Sequence, residues 1–207
     1  SGGEVRLALG AGYPAATLSF AGPGKADEEL ALAVREGVTL SVESEGELAR
    51  LLGIATPTCP ANVVLRINPR VTAAAFAMKM GGGPSAFGVP EEDAAPLLRR
   101  MRSEAALRVE GLHVYAGTQC LDAATLLAGV DETLRLAGEL SGGAPLGTVN
   151  LGGGLGVAYF AGQAALDLAA FGAGLAERLD RARREPWFRD TRFVLEVGRW
   201  LAAPAGT

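Results

Sequence analysis

The chain has 207 residues, of which 49% are apolar, and it carries a net charge of -4. This composition describes a globular protein that is long enough to bury a full core, and it lacks the positive charge expected of a nucleic-acid binder. No apolar run reaches the roughly 18 residues that a membrane span needs. The two cysteines, Cys59 and Cys120, are too few for a disulfide framework or a cysteine zinc cluster, and a reducing cytoplasm is the expected compartment.

The first four residues, Ser1 to Glu4, have the Ser-x-x-Glu spacing of a capping box, which predicts a helix at the start of the chain. The same spacing recurs from Ser44 to Glu47, and helix capping is the expected role of both glutamates. Because helices in α/β proteins are entered from strands, we expect the chain to open in the middle of a fold, as a fragment.

Short apolar, β-branched runs alternate with helical patterns along the chain. The runs predict strands at residues 17–21, 39–42, 62–67, 109–115, 148–151 and 192–196. Longer helices are predicted at residues 27–36, 91–102, 123–140 and 166–184, the last pausing at 171–174 because of its two glycines. This alternation favours parallel strands that are joined by crossover helices.

The predicted fold class is α/β, as an incomplete (β/α)8 TIM-type barrel with about six of its eight units. Such barrels typically take about 250 residues, so about two further units before the first strand would complete the length. A doubly wound open sheet is the alternative, but its glycine-rich phosphate turn follows the first strand. The glycine run here follows a late strand, and barrels commonly bind phosphate after strands seven and eight. The barrel is therefore favoured.

Two features carry the chemistry. Gly152, Gly153 and Gly154 follow an apolar strand, and glycine tolerates a positive φ and lets backbone N–H groups face an anion. A tight strand-to-helix turn is the alternative explanation. A later apolar strand ends in Glu196 and is followed by Arg199. A glycine cradle, a carboxylate and a guanidinium together favour a cofactor that bears a phosphate and a ring.

Several strand ends carry motifs in a fixed order. These are FAGPGK (20–25), SVESEGEL (41–48), LRINP (65–69), MKMGGGPSAFG (78–88), GLHVYAGTQ (111–119), NLGGGLG (150–156) and LEVGR (195–199). The set resembles the fold-type III pyridoxal-phosphate-dependent decarboxylases, the family of ornithine, diaminopimelate and arginine decarboxylases. MKMGGGPSAFG and GTQCLD resemble most the branch of this family that includes decarboxylases of aminoacyl groups on carrier proteins.

The resemblance implies an alanine-racemase-like barrel with pyridoxal 5'-phosphate as cofactor. Residues 1–207 would form the cofactor-binding barrel domain, truncated at its N-terminal side and without the C-terminal β-domain of the family. The full-length protein is expected to be a cytoplasmic homodimer that binds neither metal, nucleic acid nor membrane.

The resemblance also implies roles for individual residues. Glu196 would pair with the pyridine nitrogen, because a protonated ring withdraws electrons more strongly. Gly152, Gly153 and Gly154 would hold the phosphate through their backbone, and Arg199 would supply a cation beside it. The alternative for Glu196 is an ion pair with Arg199.

Further positions follow from the same resemblance. Thr118 would place its hydroxyl on the phosphate, where Gly117 lets the backbone pass close by; a turn-capping threonine is the alternative. Tyr115 stands where relatives carry a histidine that stacks on the ring, and it can stack but cannot supply an imidazole proton. His113, the only histidine, lies on the same strand face as Tyr115. It lines the barrel interior or is a satisfied core residue.

Arg66 matches an active-site arginine that helps to hold the stacking aromatic, and a buried pair with a barrel carboxylate is the alternative. Lys25 does not match the family's Schiff-base lysine, which sits on an earlier strand in a Tyr-x-x-Lys-Ala-Asn setting. We therefore expect the parent enzyme to decarboxylate an α-amino acid or a carrier-tethered aminoacyl group, and this fragment alone to be inactive. A racemase of the same fold and a non-catalytic homologue that binds partners are the alternatives.

Overall fold

The structure of the protein is a computed structural model that describes residues 1–70, 78–79 and 85–206. Part of the MKMGGGPSAFG motif, at positions 80–84, thus lies outside the described residues. The chain divides into two compact units. The first comprises Ser1–Ile67 and Ala86–Gly111, and the second comprises Asn68–Ser85 and Leu112–Thr207.

The strands of the described residues are β1 (Ser19–Phe20), β2 (Thr39–Val42), β3 (Ala61–Asn68), β4 (Met78–Lys79), β5 (Val89–Pro90), β6 (Leu107–Val114), β7 (Gly117–Thr118), β8 (Thr148–Gly153) and β9 (Arg192–Glu196). The α-helices are α1 (Gly2–Gly10), α2 (Asp27–Glu36), α3 (Glu45–Leu52), α4 (Glu91–Ser103), α5 (Ala123–Ser141), α6 (Leu168–Ala182) and α7 (Arg199–Ala202). Short 3-10 turns lie at Ala15–Thr17, Pro186–Phe188 and Ala203–Ala205. Each predicted strand is present with its ends shifted by at most two residues, whereas the two-residue strands β4, β5 and β7 were not predicted.

The first unit carries the strand order β1-β2-β3-β6, and β5 also pairs with β3. Strands β1 and β2 are parallel, as are β2 and β3, with Val42 opposite Leu65. Helix α1 begins with the predicted capping box, in which Ser1 and Glu4 exchange hydrogen bonds. The core of this unit consists of aliphatic side chains that are fully shielded from water, such as Leu40, Leu48 and Leu65.

The second unit carries the order β6-β8-β9, and β4 pairs with β7 in an antiparallel ladder. Helix α6 runs without the pause predicted from its glycines, so that prediction is wrong. A Cβ at Gly174 would lie 2.5 Å from Leu127 Cδ1, which shows that the missing side chain lets α6 pack closely on α5. Within the described residues, no helix has the length and apolar character needed to cross a membrane.

The ladder between β8 and β9 contains one irregularity, which determines the residue of β8 that lies opposite the end of β9. The strands pair in parallel from Thr148 opposite Arg192 to Asn150 opposite Val194, and the register then shifts so that Gly153 lies opposite Glu196. A Cβ on Gly153 would lie 2.0 Å from the carbonyl oxygen of Glu196, far inside van der Waals contact. The two main chains therefore meet only because residue 153 has no side chain.

We predict that Gly153→Ala lowers the free energy of unfolding by about 2 kcal/mol or more, because overpacked backbone must move apart. The matched control is Gly129→Ala in α5, where no atom lies within 4 Å of the added Cβ. This control should be stabilised by roughly 0.5–1 kcal/mol, since alanine favours a helix over glycine. Urea unfolding followed by circular dichroism measures both variants. Equal stability of the two variants would contradict the close contact at Gly153.

Candidate functional site

The carboxylate of Glu196 lies at the end of β9 in the second unit, where two side chains orient it. Asn150 Nδ2 donates a hydrogen bond of 2.9 Å to Glu196 Oε1. His113 Nε2 lies 3.5 Å from Glu196 Oε2, and the imidazole is completely buried. The Glu196 side chain is 33% exposed, whereas the imidazole beside it is shielded from solvent.

The sequence analysis missed Asn150, although it starts the NLGGGLG motif. Its amide is used in two directions: Nδ2 donates to Glu196, and Oδ1 accepts the N–H of Gly152 at 2.9 Å. The second bond is an Asx-type turn, in which an asparagine binds the backbone two residues on. An asparagine two residues before a glycine was the available signal for this turn, whereas the bond to Glu196 had no local signal.

The glycine run is shaped first by packing against its neighbours. Gly152 has a φ of +71°, and a Cβ there would lie 2.5 Å from the carbonyl oxygen of Val114 and 3.1 Å from Tyr115 Cα. A Cβ on Gly153 would likewise collide with the main chain of Glu196. At these two positions the need for glycine is therefore explained by close approach within the protein, and a phosphate contact is a separate prediction.

Gly154 has a φ of +103° and occupies the turn that leaves β8. Cys120 fixes this turn on both sides: its N–H donates to Gly154 O at 2.8 Å, and its carbonyl accepts the N–H of Gly156 at 2.9 Å. Gly154 and Leu155 are buried, and their own N–H groups lie in this turn. Successive backbone N–H groups in a turn of this kind suit an anion, and a phosphate contact here stays a prediction.

Tyr115 lies between β6 and β7, half-buried, next to Gly152. Gly117 and Thr118 form β7, opposite Lys79 and Met78 of β4. The structure therefore brings Tyr115 to the glycine run. It places Thr118 in a short antiparallel ladder, where its hydroxyl role stays a prediction.

Arg199 occupies the first turn of α7 and is exposed. Its guanidinium donates to the hydroxyl of Tyr159 and lies 5.8 Å from the centre of that ring, a cation–π geometry. Within the described part of the chain, no ion pair between Arg199 and Glu196 is found. The phosphate role of Arg199 stays a prediction.

Arg66 belongs to the first unit, near the end of β3. Its Nη1 donates to both carboxylate oxygens of Glu43, at 2.9 and 3.0 Å, and its guanidinium lies 5.2 Å from the centre of the Phe87 ring. Both members of the pair are buried. The predicted alternative, a buried pair with a barrel carboxylate, is confirmed.

Lys25 forms a second buried ion pair in the same unit. Its ammonium donates to Glu47 Oε1 at 2.8 Å and to the carbonyls of Gly22 and Ser41 at 2.7 and 2.8 Å. All three of its N–H groups are thereby used. Glu43 also accepts the N–H of Gly22, which ties this pair to the first.

The predicted capping role of Glu47 is wrong. Ser44 Oγ does accept the N–H of Glu47 at 3.1 Å, but the carboxylate turns inward to Lys25 and is 1% exposed. Burial raises the pKa of Glu47, although the neighbouring Lys25 ammonium acts in the opposite direction. The desolvated ion pair determines its position here, whereas Glu4, with the same local spacing, stays on the surface.

Parallel strands with connecting helices, and a carboxylate where the last strand ends, define the class of α/β barrel domains that bind ligands at the carboxyl ends of their strands. The architecture is that of an incomplete TIM-type barrel. Residues 1–203 match the family model described as the pyridoxal binding domain of pyridoxal-dependent decarboxylases. The chain belongs to this family, and the resemblance to fold-type III decarboxylases is confirmed.

Curated relatives agree with the family match. The L-glutamyl-[BtrI acyl-carrier protein] decarboxylase of Niallia circulans is 35% identical over 99% of this chain and 49% of its own length. The diaminopimelate decarboxylase of Zymomonas mobilis is 33% identical over 100% of this chain and 48% of its own length. The crystal structure of diaminopimelate decarboxylase from Helicobacter pylori in complex with L-lysine superimposes with a TM-score of 0.83 at 28% identity, covering 96% of this chain and 50% of that one. The chain thus spans about half the length of the relatives it matches.

We predict that Glu47→Ala costs about 3–5 kcal/mol of unfolding free energy, because it leaves the Lys25 ammonium buried without its counter-charge. Glu45→Ala, in the first turn of the same helix, removes an exposed carboxylate and should change stability by less than about 0.5 kcal/mol. Chemical denaturation at neutral pH measures the difference. A similar, small effect of both substitutions would show that the Lys25 pair is not formed in solution.

Proposed function

We propose that this protein is the cofactor-binding part of a pyridoxal-phosphate-dependent decarboxylase. The observation that carries the proposal is the Glu196 carboxylate, which is set in place by Asn150 at the end of β9 and remains partly exposed. A carboxylate in that position suits a protonated pyridine nitrogen. The family match supports the cofactor class independently of this geometry.

The residues that the structure describes fit the cofactor. The N–H groups of Gly154 and Leu155 would bind its phosphate, Glu196 would bind the ring nitrogen, and Tyr115 would lie against the ring. Bound pyridoxal phosphate supplies an electron sink for the electrons left when carbon dioxide departs. Glu196 would hold the proton on the ring nitrogen, and Asn150 holds that carboxylate in place.

Tyr115 contributes a flat apolar face and a hydroxyl rather than an imidazole. It would restrain and shield a ring, and it lacks the imidazole nitrogen of the histidine that relatives carry. Gly152 allows this approach, because any side chain there would collide with Tyr115 and the carbonyl of Val114. The protonation of the product carbon would therefore come from a group other than residue 115.

The proposed substrate is an α-amino acid, either free or as an aminoacyl group on a carrier protein. Both kinds occur among the relatives, one of which is named for a carrier-bound glutamyl group and others for diaminopimelate. We further propose that the full-length protein is a cytoplasmic homodimer, as the family resemblance implies. Release of carbon dioxide by the complete gene product, from the glutamyl carrier protein or from diaminopimelate, distinguishes the two substrates.

Cofactor binding to this chain is tested by equilibrium dialysis against pyridoxal phosphate, with inorganic phosphate as competitor. We expect weak, saturable binding that phosphate displaces. Glu196→Gln should weaken it by about tenfold, equivalent to about 1.4 kcal/mol. The control Glu177→Gln removes an exposed carboxylate from α6 in the same unit and should leave binding unchanged. Equal binding by both variants, or none by the wild type, would contradict the proposed site.

Borohydride reduction provides a second test, because the sequence contains only two lysines, Lys25 and Lys79. The Lys25 ammonium is buried and donates all three of its hydrogens, so it should not be labelled by pyridoxal phosphate. We expect mass spectrometry after reduction to find no modified lysine in this chain. Stoichiometric labelling of either lysine would overturn the expectation that the Schiff-base lysine is not among these residues.

A further inference from the structure

Asn150 connects the two halves of the proposed cofactor site with one side chain. Its Nδ2 holds the carboxylate of Glu196, and its Oδ1 holds the N–H of Gly152 at the start of the glycine turn. The residue is only 5% exposed, so water competes little for either bond. The carboxylate and the turn are thus spaced by a rigid amide.

The amide has only one orientation that satisfies both neighbours. A carboxylate accepts and a backbone N–H donates, so the NH2 side must face Glu196 and the carbonyl side must face Gly152. Rotating the amide by half a turn would set oxygen against oxygen at Glu196 and N–H against N–H at Gly152. The bonding pattern therefore fixes the side chain as well as its two partners.

We propose that Asn150 is a positioning residue, which holds Glu196 in register with the glycine turn so that a ring and its phosphate are recognised together. The purpose that this inference gives to Asn150 rests on the proposed function, whereas the contacts of Asn150 do not depend on it. Asn150 suits the task because a neutral donor orients the carboxylate without cancelling its charge. A lysine or arginine in its place would neutralise the charge that the ring nitrogen requires.

His113 provides a direct readout of this arrangement. It is the only histidine in the sequence, it is fully buried, and its Nε2 lies 3.5 Å from Glu196 Oε2. Its imidazole resonances in a 15N or 13C spectrum therefore report on a single site, without ambiguity of assignment. A change in the orientation of Glu196 should move them even when no cofactor is present.

The test compares three variants of the chain. Asn150→Ala removes both arms of the amide, whereas Asn150→Ser keeps an oxygen that can accept the Gly152 N–H but cannot reach Glu196. Asn62→Ala is the control, because that asparagine makes one bond, from Nδ2 to Gly37 O at 3.1 Å, in the first unit. We expect both Asn150 variants to shift the His113 resonances of the cofactor-free chain, and the control to leave them in place.

A merely structural role predicts a different pattern. If Asn150 only supports the turn, Asn150→Ser restores both thermal stability and the wild-type His113 spectrum. If Asn150 positions Glu196, Asn150→Ser recovers stability relative to Asn150→Ala while the spectrum stays shifted. Wild-type His113 resonances in Asn150→Ser would therefore overturn the inference. This comparison needs only Asn150→Ser and the wild type, so it holds even where Asn150→Ala does not fold.

A double-mutant cycle on pyridoxal phosphate binding tests the purpose of the arrangement. Asn150→Ser should weaken binding by about tenfold in the wild type, or about 1.4 kcal/mol. In the Glu196→Gln background it should have almost no further effect, because its action passes through that carboxylate. If the two substitutions weaken binding independently, so that their fold-changes in affinity multiply, the inference would be overturned. Wild-type protein that binds no cofactor would instead overturn the proposed function, and the His113 spectrum would still decide whether Asn150 orients Glu196.

Discussion

The approach of two main chains at Gly153 is the constraint on which the candidate site depends. Strands β8 and β9 pair regularly up to Asn150 and then slip, so that Gly153 faces the carbonyl of Glu196 with no room for a Cβ. This slip sets Glu196 opposite Gly153, and from there its carboxylate accepts a hydrogen bond from Asn150. A side chain at residue 153 would separate the strands and move the carboxylate away from its amide and its imidazole.

The charged groups in the first unit are used differently. There, Lys25 pairs with Glu47 and Arg66 pairs with Glu43, all four being buried. Removing such charges from water costs several kcal/mol for each ion, which their attraction only about repays. These pairs therefore specify how the ends of the strands are arranged more than they stabilise the fold. Glu196 receives a neutral donor from Asn150 instead, so that bond orients the carboxylate and preserves its charge for a ligand.

The local sequence pattern was sufficient to predict most helices and strands and the position of Glu196 at a strand end, because strand periodicity and glycine runs involve residues that are adjacent in sequence. It failed wherever the deciding contact is distant in sequence. Glu4 and Glu47 have the same capping-box spacing. The pairing of β1 with β2 brings Lys25 to Glu47, whereas Glu4 remains in its capping box. The hydrogen bond from Asn150 to Glu196 joins residues that are 46 positions apart in sequence, and no local motif predicts it. The two-residue strands lie below the length at which alternation can be recognised.

The glycine run shows that packing and anion binding need not be rival explanations. Gly152 and Gly153 lack side chains because neighbouring backbone occupies that space, and this close packing carries the chain into the turn at Gly154. Cys120 then donates to Gly154 and accepts from Gly156 around the turn in which the N–H groups of Gly154 and Leu155 also lie. Successive backbone N–H groups in a turn of this kind can bind an anion. The close packing that requires glycine at residues 152 and 153 thus leads into the turn for which phosphate binding is predicted.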